Sequence, residues 1–142
     1  MVTASAVSGP LQVAGAFHTA HMAPAVDVLN GLARALRPAD PRVPWLSNAD
    51  GAPVTSGAAG LTSLVSQISS PVRWDLCTAT MAGLGVTALL ELAPAGTLTG
   101  LAKRALPGVR LVALKTPDDL PAARELVAEA LAGQARPEPV PA

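Results

Sequence analysis

Apolar positions recur along this chain at two different spacings, and the alternation between them sets the architecture. Met22, Val26, Leu29, Ala33 and Leu36 trace one stripe of an amphipathic helix. Thr19 stands where it caps that helix, Pro24 falls in the first turn where its missing N–H does no harm, and Pro38 and Pro41 end the segment. Leu61, Leu64, Val65 and Ile68 repeat the helical signature at i, i+3, i+4 and i+7. A third helix restarts after Pro71 and stops at Gly83 to Gly85. The run VTALLEL, Val86 to Leu92, is almost continuously apolar and β-branched at its start, the pattern of a strand buried on both faces. TLTGLAKRAL reads as a short helix and VRLVALK, from Val109, as a second strand. Thr116 caps a closing helix with Pro117 at its first position and Asp119 in its first turn.

Two weaker segments complete the series. LQVAG after Pro10 is strand-like, and VPWLSN, Val43 to Asn48, reads as a strand followed by a turn at ADGAPVTS. Strands alternating with helices predict an α/β layer with a largely parallel sheet and flanking helices. With only four strands, and the first at the very start of the pattern, the expectation is a partial sheet, the second half of a domain. Residues 1–9 read as an unstructured lead-in, 10–132 as the folded part and 133–142 as a tail.

Composition narrows the function classes. Half the residues are apolar, but aromatics make up only 2%, so the core rests on Ala, Val and Leu. Ten basic residues balance ten acidic ones, which removes the electrostatic case for nucleic acid or an anionic membrane. Cys77 is the sole cysteine, so neither an internal disulfide nor a thiolate zinc cluster can form. The first ten residues, MVTASAVSGP, lack the basic and apolar blocks of a secretory signal, and no apolar run approaches the roughly 20 residues of a membrane helix. A cytoplasmic protein is expected.

Both histidines sit at one junction, VAGAFHTAHMAPAV, where a strand gives way to a helix. The carboxyl ends of strands are where α/β sheets place their sites. A neutral imidazole there serves as general base near neutral pH when an acceptor orients its other nitrogen; a plain structural role for His18 is the competing reading. None of the eight serines lies in a G-x-S-x-G elbow. Cys77 falls in the middle of a helix as a packing residue, and His18 with His21 lacks a third metal ligand close by. The residues thus offer a base without a nucleophile.

The blocks PLQVAGAFHTAHMAPAV, VPWLSNADGAPV, LVSQISSPVRWDLCTATM, GVTALLELAPAGTLTGLAKRALPGV and ALKTPDDLPAARELVAE, in this order, resemble the C-terminal part of bacterial malonyl-CoA:acyl carrier protein transacylases, the actinobacterial ones above all. The similarity covers residues 10–131. It implies the C-terminal part of an α/β-hydrolase-like acyltransferase domain. It also implies that His18 is the catalytic base and that the main-chain carbonyl of Gln67 holds the ring's second nitrogen. Asn48 is placed on the active-site side, with a packing or turn-forming role as the alternative. His21 has no implied role, and Arg73 and Trp74 are read as structural. Lys103, Arg104 and Arg110 offer a small basic face for an acidic carrier protein, or else are ordinary helix-end and surface charges.

The reaction implied is a two-step transfer of malonyl from malonyl-CoA to the phosphopantetheine thiol of acyl carrier protein, in fatty acid or polyketide synthesis, with no cofactor or metal. The family's serine elbow, oxyanion loop and carboxylate-binding arginine have no counterpart in this sequence. The resemblance therefore implies the base-bearing half, inactive alone and in need of a Ser-bearing partner fragment. A non-catalytic carrier-protein-binding module and an inactive remnant are the alternatives. Several hundred Å² of apolar surface left wet would cost on the order of 10 kcal/mol, so marginal stability is expected. In ELAPAG, Glu91 to Gly96, alanines stand where the family has glycines, and a different turn is expected there.

Overall fold

The computed structural model describes residues 15–134, which divide into two compact units. The first holds the described residues up to Pro44 together with Val54–Val72; the second holds Trp45–Pro53 and the chain from Arg73 onward. The expected strand at LQV and the terminal lead-in and tail lie outside the described residues.

In the first unit a single 3-10 turn, Ala20–Met22, leads into α1, Ala23–Ala33, which packs against α2, Gly57–Gln67. The stripe Met22, Val26, Leu29 and Ala33 is half-buried, while Leu36 lies beyond the helix and is exposed. Thr19 occupies the cap position in extended conformation, but its hydroxyl donates backwards to the Ala16 carbonyl at 2.6 Å and not to the helix, contrary to expectation. The backbone at His18 reverses the chain (φ +59°), which brings that carbonyl within reach. At α2, Ser56 accepts the N–H of Ala59 at 3.1 Å, a regular side-chain cap. Gly57 is needed here for space: its N–H donates to Asp40 Oδ1 at 2.9 Å, and a Cβ would lie 2.4 Å from the carbonyl oxygens of Pro38 and Ala39.

In the second unit α3, Trp74–Gly83, precedes β1, Ala88–Glu91. Then follow α4, Thr97–Ala105, β2, Arg110–Ala113, and α5, Leu120–Gln134, which a 3-10 turn at Pro117–Asp119 introduces. β1 and β2 pair in parallel with Ala88 opposite Arg110 and Glu91 opposite Ala113. A helix is the connection a parallel pair requires; the strands are mostly half-buried, with Glu91 alone buried, short of the burial on both faces expected for Val86 to Leu92. Helices α4 and α5 both pack on these strands, and Cys77, Ala102, Leu106, Ala123 and Leu126 are buried. The Asp119 carboxylate reaches back to the N–H groups of Lys115 and Thr116 at 2.9 Å, completing the expected start of the last helix.

The sheet has two strands among the described residues, fewer than the four expected. VPWLSN is no strand: Leu46 makes a single antiparallel bridge to Pro53, closing a tight turn in which Ser47 N–H donates to Ala52 O at 2.8 Å. Pro44 and the turn residues Asp50 and Gly51 flank too short a stretch for a ladder to extend. No helix among the described residues is long and apolar enough to cross a membrane.

Candidate functional site: His18 at the end of helix α2

The last turn of any helix leaves carbonyls without intrahelical partners, and α2 gives two of its own to His18. The main-chain N–H of His18 donates to Ile68 O at 3.1 Å, and its ring Nδ1 donates to Gln67 O at 2.8 Å. A carbonyl only accepts, so the hydrogen lies on Nδ1. Nε2 then keeps its lone pair, and the ring is exposed. That is the tautomer a general base requires.

This geometry depends on an unusual backbone. Among the described residues His18 is the one non-glycine with positive φ, at +59°. Such a conformation costs on the order of 1–3 kcal/mol and persists where surrounding contacts impose it. Here the two bonds to α2 do so. Nothing in the spacing of apolar residues announces this turn; the only sequence sign is a histidine, a type that tolerates left-handed backbone better than most.

Gln67 is 4% exposed. Its Nε2 donates to Ser70 O and Pro71 O, both at 2.9 Å, while its Oε1 is buried without a donor. Both partners being carbonyls, the amide can face them only through its NH₂. The Gln67 carbonyl also accepts the N–H of Ser70 at 3.2 Å, so its two lone pairs serve the departing chain and the imidazole.

The other sequence-derived residues lie elsewhere. Asn48 belongs to the second unit, where its carbonyl accepts the N–H of Arg73 at 2.8 Å, a turn-holding contact. Arg73 pairs with Asp75 at 2.7 Å on the exposed start of α3. Trp74 is half-buried with its Nε1 unpartnered. Cys77 is 3% exposed and its Sγ lies 3.5 Å from Ser47 O; burial raises its thiol pKa, so it packs as a neutral group. Lys103 and Arg104 stand exposed on the last turn of α4 with no ion pair among the described residues. Arg110 differs from them: its guanidinium is held by Glu125 and Glu129 on α5. The groove between α1 and α2, about 950 Å³, is lined by Asp27, Asn30, Arg34, Leu61 and Val65 among others, and His18 is not one of its walls.

Glu91 is the residue that sequence reasoning passed over. At the carboxyl end of β1 it is 8% exposed, and it accepts from the N–H groups of Gly96, Leu98 and Thr99 at 2.8–2.9 Å and from the Thr99 hydroxyl at 2.9 Å. Burial pushes its pKa upward, but the converging donors at the start of α4 outweigh that and hold it at about 2. The ELAPAG turn takes its left-handed residue at Gly96, φ +124°, which spares Ala93 and Ala95 the strain.

No protein-family model matches the chain. The malonyl CoA-acyl carrier protein transacylase of Mycobacterium tuberculosis is 57% identical over 110 residues, covering 78% of this chain and 36% of that protein. The transacylase of Escherichia coli K12 is 38% identical over 117 residues, covering 82% of this chain and 38% of that protein. The crystal structure of the Mycobacterium tuberculosis enzyme superposes with a TM-score of 0.71 at 57% identity, over 78% of this chain and 36% of that one. A malonyl-transacylase solved in complex with its type II PKS acyl-carrier protein gives 0.73 at 34% identity, over 82% of this chain and 38% of that one. The chain thus spans little more than a third of the length of the curated relatives it matches. By sequence and by fold, about four fifths of this chain matches a portion of the malonyl CoA-acyl carrier protein transacylases.

Proposed function

We propose that this chain supplies the general base for malonyl transfer from malonyl-CoA to the phosphopantetheine thiol of an acyl carrier protein. The carrying observation is the His18 ring, held through Nδ1 by the Gln67 carbonyl with Nε2 left as acceptor. The nucleophile is a serine on a complementary portion, since none of this chain's serines lies in an elbow. In the first step Nε2 takes the serine hydroxyl proton as the oxygen attacks the malonyl thioester. The carbon–sulfur bond breaks, and the imidazolium returns the proton to the departing CoA sulfur. In the second step Nε2 takes the proton of the phosphopantetheine thiol. The sulfur attacks the malonyl-serine ester, the carbon–oxygen bond breaks, and the serine oxygen recovers the proton. No cofactor or metal enters this scheme.

The relative solved with its carrier protein supports an acyl carrier protein as partner, and the exposed pair Lys103 and Arg104 is the docking face this reading assigns to it. Arg110, already engaged by two glutamates, is the weaker of the three docking candidates. Asn48 retains the turn-holding role its carbonyl performs. A cytoplasmic location, where CoA thioesters and carrier proteins would meet, belongs to the same reading.

The test is complementation. The chain is mixed with the Ser-bearing remainder of the Mycobacterium tuberculosis relative, malonyl-CoA and holo carrier protein, and malonyl transfer is followed by mass spectrometry. Restored transfer that falls by about a hundredfold to ten-thousandfold in His18→Ala supports the assignment. Transfer that is restored and indifferent to His18→Ala overturns it.

A further inference from the structure

The mechanism uses the backbone carbonyl of Gln67 and leaves its side chain without a task. That side chain is nevertheless the most deeply buried polar one in the first unit, at 4% exposure. One amide nitrogen serves two carbonyls, Ser70 O and Pro71 O, both at 2.9 Å, and the buried amide oxygen has no donor among the described residues. A buried acceptor without a partner is a standing cost, and leucine or methionine at this position would avoid it. Something about the amide nitrogen offsets that cost.

Its partners show what. Ser70 and Pro71 begin the segment that leaves α2, and Pro71 cannot donate an N–H to return toward the helix. Three serines in the same turn bind backwards: Ser66 Oγ donates to Ser63 O at 3.0 Å, while the Ser69 and Ser70 hydroxyls donate to Ser66 O at 3.4 and 2.8 Å. The Gln67 amide is the one side chain among these that reaches forward past the helix end. It ties residues 70 and 71 to residue 67, whose own carbonyl must aim at His18 Nδ1 while also accepting the Ser70 N–H. With the exit segment free to swing, the last peptide planes of α2 would rotate and the carbonyl would drift off the imidazole. His18, in a left-handed conformation imposed by its bonds to Gln67 and Ile68, makes no other ring hydrogen bond among the described residues.

We propose that the Gln67 side chain is a positioning residue for His18, clamping the Ser70 and Pro71 carbonyls so that the Gln67 main-chain carbonyl fixes the imidazole as its Nδ1–H tautomer. The inference deepens the general-base reading and rests on it for its catalytic consequence, but the tautomer is a property of this chain alone.

The experiment records ring ¹⁵N spectra of the full chain, wild type and Gln67→Leu, with Gln67→Glu as the isosteric variant whose carboxylate cannot donate. His21, exposed and uninvolved, is the internal reference. The expected result is an Nδ1–H tautomer for His18 in the wild type and a shift toward Nε2–H in whichever variant keeps its helical circular dichroism, with His21 unchanged. A folded variant that keeps the Nδ1–H tautomer overturns the positioning role, and a wild-type His18 without that tautomer overturns it too. Loss of helical structure in both variants overturns it as well, since the amide would then hold the helix end rather than aim the ring. In the complemented enzyme, kcat should fall by about ten- to a hundredfold in Gln67→Leu with the KM for malonyl-CoA little changed. Absence of transfer in the complemented wild type would count against the general-base reading and leave the tautomer result standing.

Discussion

The unit built on α1 and α2 and the unit built on the parallel pair β1 and β2 satisfy their polar groups in opposite ways. In the second, Glu91 is buried and fully engaged: four donors converge on one carboxylate at the start of α4. The left-handed positions there fall on glycines. Among the described residues its single buried side-chain polar atom without a partner is Trp74 Nε1. In the first unit a histidine takes the left-handed conformation, and a buried glutamine oxygen goes without a donor. Val28, Leu32, Leu36 and Leu64 are each more than half exposed, at 66%, 65%, 56% and 55%. Local conflicts collect around the candidate base, while the second unit is locally the more consistent of the two. Large apolar side chains are left exposed in the second unit too, Leu84, Leu92 and Leu131 at 60%, 67% and 60%, so apolar exposure does not separate the two units.

The sharpest way to break the first unit is Gly57→Ala. The added Cβ would fall 2.4 Å from two backbone oxygens that cannot rotate away, so α2 must shift on its seat. A loss of about 1–3 kcal/mol is expected, read as a lower denaturant midpoint, and an unchanged midpoint would refute the packing described. In the second unit the expected effect is a pH dependence. Glu91 has a folded pKa of about 2 against an ordinary 4.5, so the unfolded chain binds the proton more readily. Its contribution is present above about 4.5 and is lost as the pH falls towards 2. Glu91→Gln should lower the melting temperature at neutral pH and flatten its decline through that acid range. Equal slopes in variant and wild type would show that the carboxylate does not cap α4. The smallest effect belongs to Arg110→Ala. Its ion pairs are solvent-exposed, with the arginine side chain 41% accessible, and removing them should cost less than about 1 kcal/mol at ordinary salt. A larger loss would make the β2–α5 contact more than a surface pairing.

The sequence by itself determined the helices, both strands of the parallel pair and the candidate for the base. Helical spacing, proline at helix starts and glycine at helix ends are local signals, and each of α1 to α5 was legible from them. The F-H-T block pointed to His18, and the Q-x-x-x-P-V-R-W block pointed to Gln67. Only the tertiary structure decided the remainder, because those features depend on which groups the folded backbone brings into contact, near or far in sequence. VPWLSN has strand-like composition, yet a strand exists only by pairing, and Leu46 finds one bridge. Arg110 looks like a free cation until α5 brings two glutamates to it. Glu91 is an unremarkable residue in an apolar run until the Gly96 turn folds the amides of α4 onto it. The His18 tautomer and the clamp that aims it rest on contacts across 49 residues and on the exit geometry of one helix, and no periodicity carries that information.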